Sequence, residues 1–462
     1  MNSAEESCLQ LRLSKKFVKK VKKQVPWVEH IISDVGTALD LNYNPTDLKI
    51  RVPNGSLCIA CRGARMLCGK LRCPIIVKLY SYLKTKPLIE TTKLEGSSPP
   101  SVFVGRIDYP YVHAGPLVPP ILGDTSLFDM PELWIARPID EIVDFRLKMI
   151  RGKFRVNVKK PESSGKLMDL SRELALSALP VDTEVELEKK PGKNFILDGE
   201  IQPMGPSAPL KDMNIKSVKT DHRIEKAYED SDLKAADAVL ELFKNRVPVS
   251  RIQRAFSAGV FGVKDQRRLV PTRWSITAVD SILSKTIRDE KVRENPIINE
   301  YRIYESNYLD NRYIVLMMPS PWSYEAVEAW YPGTTWNPDG LDIAICGDSE
   351  GYRGRTTYAQ IGGCYYAARL AATEYLENER RQASVLVLRE AHPGYIMPVG
   401  VWQVRENVRN ALEQDFKKFN ALEEGLAYIS GRLSIKLKHW VESSNLLKDA
   451  LYQKRITKFI TE

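Results

Sequence analysis

The sequence predicts an α+β protein of two domains, with a small four-cysteine unit near its start and a helical region at its end. Three observations lead there. At 462 residues the chain is too long for one ordinary core, since one domain per about 150 residues is the usual prior. Four of the seven cysteines crowd between Cys58 and Cys73. Beyond a charged run at Arg288–Pro296, strand-like runs mix with helical stripes, and from Glu406 the chain reads as helix nearly to its end.

Composition narrows the class. Hydrophobic residues make up 43% and charged residues 27%, which excludes wholesale disorder. Lys and Arg total 68 against 58 Asp and Glu, and the resulting +10 favours an anionic partner. No apolar run of about 18 residues occurs, so no membrane span is expected. Met1–Gln10 carries Glu5 and Glu6 and lacks a signal-peptide core, so a soluble, cytoplasmic protein is expected.

Taken in order, the elements begin with a helical signal. Leu13, Phe17 and Val21 recur at spacing four among Lys15, Lys16, Lys19, Lys20, Lys22 and Lys23. After the cysteines, Ile75–Leu83 reads as a helix and Val102–Val104 as a strand. Tyr109-Pro110, Gly115-Pro116 and Pro119-Pro120 then read as a loop of fixed shape. Lys166–Leu179 is helix-like, and Thr183–Glu188 alternates with period two as a half-exposed strand does. Gly205–Pro209 reads as loop. Ser231 is a plausible cap for a helix with Leu233, Ala236, Leu240 and Phe243 on its inner face, ending at Pro248. A helix carrying Ile276, Val279, Ile282 and Leu283 follows. Tyr313–Met318 reads as a buried strand, Cys364–Arg381 as a helix, and Ser384–Leu388 and Tyr395–Val404 as strands.

The cysteines are spaced Cys58-x2-Cys61-x6-Cys68-x4-Cys73. The first pair has knuckle spacing, which lets two thiolates face one metal from a tight turn, and Gly63 and Gly69 relax the backbone. Four thiolates give a zinc ion a net charge of about −2, which Arg62, Arg65, Lys70 and Arg72 would offset. One structural zinc is the expected cofactor. An iron–sulfur cluster takes the same ligands and stays open as the alternative.

The tail reads Gln453-Lys454-Arg455-Ile456-Thr457-Lys458-Phe459-Ile460-Thr461-Glu462. One tight helical turn would put Ile456, Phe459 and Ile460 on one side as a hydrophobic plug, with Gln453 beside it. This resembles the sliding-clamp motif Gln-x-x-aliphatic-x-x-aromatic-aromatic, with Ile460 where an aromatic is usual. It equally fits continued packing of the last helix.

Candidates for nucleic-acid contact are Arg267, Arg268 and Arg273, with Trp274 close enough in sequence to stack on an exposed base. The same residues equally fit ion pairs and core. No histidine sits in a recognisable motif and no Walker A sequence occurs, which argues against a Ser-His-Asp hydrolase and an ATP-driven motor. The glycine-rich loop Gly347–Arg355, with Arg353 and Arg355, matches no nucleotide fingerprint. Glu390, at the end of the Ser384–Leu388 strand, and Arg106 are the candidate catalytic pair. A carboxylate opposite an arginine suits an ADP-ribosyltransferase acting on NAD or nucleic acid, whereas a salt bridge is the commoner outcome.

Taken together, the cysteine cluster, Ser97-Ser98-Pro99-Pro100-Ser101-Val102-Phe103-Val104-Gly105, Tyr109-Pro110, Gly115-Pro116, Val270-Pro271-Thr272-Arg273-Trp274-Ser275-Ile276-Thr277 and the tail resemble the archaeal Nre family of DNA repair proteins. The resemblance covers nearly the whole chain. It implies an N-terminal family domain over 1–300 that includes the zinc unit at 58–73, a C-terminal family domain over 301–450 and a clamp-binding tail over 451–462. It also implies a repair factor recruited to DNA by the archaeal sliding clamp (PCNA). The resemblance implies no catalytic mechanism, and an enzyme acting on nucleic acid in repair is the alternative.

Overall fold

The computed structural model describes residues 58, 60, 61, 63–191, 202–338 and 340–452; the predicted helix around Leu13, Phe17 and Val21 lies outside them. The chain forms two compact units. One runs up to Leu283 and takes in Ile396–Gly400; the other comprises Ser284–Tyr395 and the chain from Val401. Each holds a six-stranded sheet, and twelve α-helices occur among the described residues. The class is mixed α plus β. No helix among the described residues is long and apolar enough to cross a membrane.

In the N-terminal unit, α1 (Pro74–Thr85) opens on a proline, whose fixed φ suits a first helical position and whose missing N–H costs nothing there. Then come β1 (Lys93–Ser98), β2 (Val102–Val104), β3 (Tyr111–Val118), α2 (Ile139–Lys148), β4 (Ile150–Asn157), α3 (Gly165–Leu176), β5 (Val181–Leu187) and β6 (Ser207–Ile215). Helices α4 (His222–Glu229), α5 (Ala235–Lys244) and α6 (Val249–Ser257) follow, and α7 (Thr272–Glu290) starts in this unit and continues past its end at Leu283. The sheet order is β1-β5-β6-β4-β3-β2, with β4 and β6 parallel and the other pairs antiparallel.

Three local readings change here. Gly205–Pro209, expected as loop, gives Ser207–Pro209 to the start of β6, paired with Arg151–Lys153 of β4. The proline-rich stretch expected as a loop contains β3. Its ladder to β4 runs from Tyr111 to Ala114 and resumes at Leu117, so it lapses at Gly115 and Pro116, where proline has no N–H to give. The helix expected to start at Ser231 starts at Ala235 and buries Ala238, Val239 and Leu242, and Pro248 caps the next helix instead of ending this one.

A buried charge cluster ties this unit together. Asp129 meets Arg254 through two bonds of 2.6 and 2.5 Å and Arg146 at 3.3 Å. Burial alone would push Asp129 up, but Arg254 and Arg146 hold it below the ordinary carboxylate range. One turn earlier on α6, Arg251 donates to the carbonyls of Pro100 (2.7 Å) and Ser177 (2.5 Å), fixing the loop between β1 and β2.

The C-terminal unit begins with the hairpin of β7 (Tyr301–Tyr308) and β8 (Asn311–Met318). Its two-residue turn, Leu309-Asp310, has φ of 53° and 54°, the primed geometry that matches strand twist. Next are β9 (Ser323–Trp330), β10 (Ala344–Glu350), α8 (Gly363–Glu379), β11 (Ser384–Ala391), α9 (Trp402–Leu412) and β12 (Lys417–Phe419). The chain then forms α10 (Leu422–Arg432), α11 (Leu437–Ser443) and α12 (Asn445–Tyr452). The order is β10-β9-β11-β8-β7-β12, with β9 and β11 parallel. β8 and β11 are buried along nearly their whole length, as their continuous apolar runs require. The strand expected over 395–404 does not form: Pro398 and Gly400 interrupt it and α9 starts at Trp402.

One face of this sheet packs Ile303, Ile314, Leu316, Leu386 and Leu388 against Leu426, Ile429, Trp440 and Leu447 of α10–α12. Two buried carboxylates on that face hold the helical layer by its backbone. Glu325 accepts from the Ser444 hydroxyl (2.5 Å) and the N–H groups of Asn445 and Leu446 (both 2.9 Å), at the start of α12. Glu390 accepts from the N–H groups of Ser434 (3.1 Å) and Ile435 (2.8 Å).

Candidate nucleic-acid interface

Two distant stretches of the N-terminal unit meet at the end of β2. The Val104 N–H donates to Thr272 Oγ1 at 3.0 Å, and the same hydroxyl lies 3.2 Å from Ser257 Oγ. The first turn of α7 is thereby docked beside the strand. Beyond β2 the chain folds back through Gly105 N–H to His113 O (2.7 Å) and Tyr111 N–H to Asp108 O (2.9 Å). This tight turn exposes Arg106, Ile107 (77%) and Tyr109 (47%). The Tyr109 ring packs on Trp274 with centroids 5.4 Å apart, and Arg273 is exposed next to it in sequence.

The surface continues onto the sheet. On β4, Arg151, Lys153 and Arg155 alternate with buried Ile150, Gly152, Phe154 and Val156, so all three project from one face. Across the ladder Arg155 pairs with His113, and its guanidinium lies 5.5 Å from the centroid of Tyr111, itself 50% exposed. Arg151 lies over Phe103 at 5.2 Å and gives its N–H groups to the Gly205 carbonyl; burial pushes it down to about 10. Burial also lowers Lys153, and Arg151 beside it adds to the fall. A cavity of about 340 Å³ opens among Tyr111, Arg155, Asn157, Ser163 and Ser164. Among the described residues, Arg106, Lys153, Arg155 and Arg273 form no ion pair with a carboxylate. The acidic residue of the turn is Asp108. Cations in excess beside exposed rings suit a polyanion with planar groups.

The residues singled out from sequence fare differently. Arg273 and Trp274 belong to this surface. Arg267 is committed internally: it donates to the carbonyls of Gly262 (2.7 Å) and Asp230 (2.8 Å) and lies over Tyr228. Arg268 is exposed and lines a separate cavity of about 250 Å³ with Lys234, Gln266 and Phe256. Arg106 is exposed on the N-terminal unit. Glu390 is fully buried in the C-terminal unit, and its oxygens are taken by Ser434, Ile435 and His392 (3.0 Å), an arrangement that braces structure and leaves no face for a ribose.

Other chemistry-bearing groups are similarly occupied. Arg355 of the glycine-rich loop pairs with Asp348 at 2.7 Å and donates to the carbonyls of Thr357 and Tyr358. Cys364 lies beside the buried Glu328–Arg389 pair; burial first, and then Glu328, push its thiol up, which makes it a poor nucleophile.

Around the cysteine cluster, Ala64 and Arg65 donate to the Cys61 carbonyl through a turn that uses Gly63 at φ 69°; Gly69 has φ 75°. Burial pushes the Cys73 thiol up, the N–H groups of Ile76 and Ile75 pull against it, and Cys68 and Cys61 add to the rise. Cys68 and Cys61 therefore lie within electrostatic reach of Cys73. Among the described residues no group of three or more is gathered closely enough to hold a metal ion. The tail residues Gln453, Ile456, Phe459 and Ile460 lie outside the described residues.

Tyr111, Lys153 and Arg155 also belong to this surface, although no motif marks them in the sequence. The available signal was Arg-x-Lys-x-Arg at period two in 151–155, the pattern of a strand with one basic face.

Comparison with known proteins agrees over most of the chain. Residues 67–337 match the family model described as archaeal Nre, N-terminal, and residues 350–459 match archaeal Nre, C-terminal. The first match takes in Cys68 and Cys73 but begins after Cys58 and Cys61. The DNA repair protein NreB of Archaeoglobus fulgidus is 43% identical over 85% of this chain and 97% of its own. NreA of the same organism is 37% identical over 82% and 94%. NreA of Haloferax volcanii is 33% identical over 76% and 85%. No solved structure matches. By two family models and these relatives, the chain belongs to the archaeal Nre family.

Proposed function

We propose that this chain is a DNA repair factor that binds DNA through the basic and aromatic surface of its N-terminal unit and is recruited by the sliding clamp through its tail. The observation that carries the DNA reading is the junction of β2 and α7, where Arg106, Tyr109, Arg273 and Trp274 come together from positions far apart in sequence. The relatives' name, DNA repair protein, supplies the process.

A salt titration tests the first part. Affinity for a DNA oligonucleotide should fall steeply as salt rises, because each neutralised phosphate releases counterions. Arg106→Ala with Arg273→Ala should flatten the log–log slope by about 2, near one unit per phosphate contact removed. A slope unchanged by the double substitution would place DNA elsewhere or nowhere.

For the clamp, support comes from the motif spacing and from the family's C-terminal match, which runs through Phe459. Phe459→Ala should weaken clamp binding by about thirtyfold or more, about 2 kcal/mol or above for a central aromatic anchor. Pull-down with the clamp that matches the parent would remove this part.

Four thiols suit a structural zinc, and Cys58, Cys61, Cys68 and Cys73 would hold it by drawing closer together than they stand in the structure. The ion would supply folding energy to a unit with little core of its own. Native mass spectrometry should find one zinc per chain, lost on Cys61→Ser with Cys73→Ser. A brown, iron-containing protein would overturn zinc in favour of a cluster.

A further inference from the structure

We infer that the ligand of this surface is unpaired DNA, held by stacking of its bases on Tyr109 and Tyr111 while Arg106, Lys153, Arg155 and Arg273 follow its phosphates. The inference rests on the reading of the surface as DNA-binding and goes further by naming the strand form. Duplex DNA keeps the faces of its bases covered and offers a protein chiefly phosphates and groove edges, for which cations and hydrogen-bonding groups suffice. This surface instead offers rings. Tyr109 and Tyr111 are each about half exposed, and Ile107 between Arg106 and Asp108 is 77% exposed.

The rings are also held in place. Tyr109 is backed by Trp274 at 5.4 Å, and Tyr111 is flanked by Arg155 at 5.5 Å. The turn that presents them is closed by the backbone bonds at Gly105 and Tyr111 and braced by Val104 on Thr272. Little ordering entropy is then left to lose on binding. Stacking of this kind is tolerant of sequence, because every base has a π-face, while the cations give affinity that falls with salt. The charge suits a polyanion: among the described residues, these four cations form no ion pair with a carboxylate.

The test compares a labelled single-stranded oligonucleotide with its matching duplex by fluorescence anisotropy on the full chain at one salt concentration. The parent should bind the single strand about tenfold or more tightly than the duplex. Tyr109→Ala with Tyr111→Ala should lose roughly 10- to 100-fold on the single strand and under about twofold on the duplex. Tyr109→Phe with Tyr111→Phe keeps the rings and should retain single-strand affinity, which separates stacking from any structural use of the hydroxyls. Equal losses on both forms, a Phe pair as weak as the Ala pair, or tighter duplex binding by the parent would overturn the inference while leaving the DNA reading intact. Failure of the parent to bind either form would instead overturn that reading.

Discussion

Asp129→Ala should destabilise the N-terminal unit by about 3–5 kcal/mol, the range for breaking one side of a buried ion pair. Its carboxylate is shared by Arg254 and Arg146, both largely out of water, and Arg251 lies within electrostatic reach. Deleting the anion leaves two guanidinium groups buried without it. The cost follows from that imbalance more than from the value of the pair itself. The pH dependence has a definite sign. The folded carboxyl titrates below its ordinary value, so its contribution is complete above about pH 4 and fades as pH falls through the folded value. Urea unfolding at neutral pH checks the magnitude. A double-mutant cycle with Arg254→Met checks the cause: the double substitution should recover part of the loss. A single-site loss under about 1 kcal/mol would mean that water or relaxation supplies the missing charge.

Glu390→Ala should cost about 1–3 kcal/mol in the C-terminal unit, because the buried Ile435 N–H loses its acceptor, while the N–H of exposed Ser434 can turn to water. The loss should be local in its first expression. Hydrogen exchange should accelerate at Ser434 and Ile435 and through α10–α12, which those bonds tie to the sheet. DNA affinity should not change. A catalytic Glu390 predicts the opposite: intact exchange protection with a lost activity. The two outcomes separate bracing from chemistry at the residue that the sequence brought forward as the best enzyme candidate.

That residue shows where sequence reasoning reaches its limit. Elements defined by local pattern were legible: Val102–Val104, the alternation of β5, the apolar run of β8, and the helix from Gly363. Their signals are periodicity and β-branching, which do not depend on distant residues. β3 was not legible because proline and glycine argue for a loop unless a neighbouring strand tolerates a gap in its ladder, and that tolerance is tertiary. The type of the Leu309-Asp310 turn was hidden because neither residue is a glycine or asparagine. Side-chain roles were the least legible. Arg267 and Arg273 look alike in sequence, yet one is spent on two carbonyls and the other is exposed. Glu390 reads as a free carboxylate at a strand end until the chain some 45 residues later brings two N–H groups to it.

The grip of Glu325 on the first turn of α12 has a consequence for range. It anchors the helix that ends at Tyr452, and Phe459 follows seven residues later in the sequence, a chain length that can span at most about 25 Å. On the proposed clamp binding, a ring captured by Phe459 would be kept within that radius of α12. Loosening the grip, as in Glu325→Ala, would lengthen that span by the residues unravelled from α12 and dilute the local concentration of such a ring around the unit.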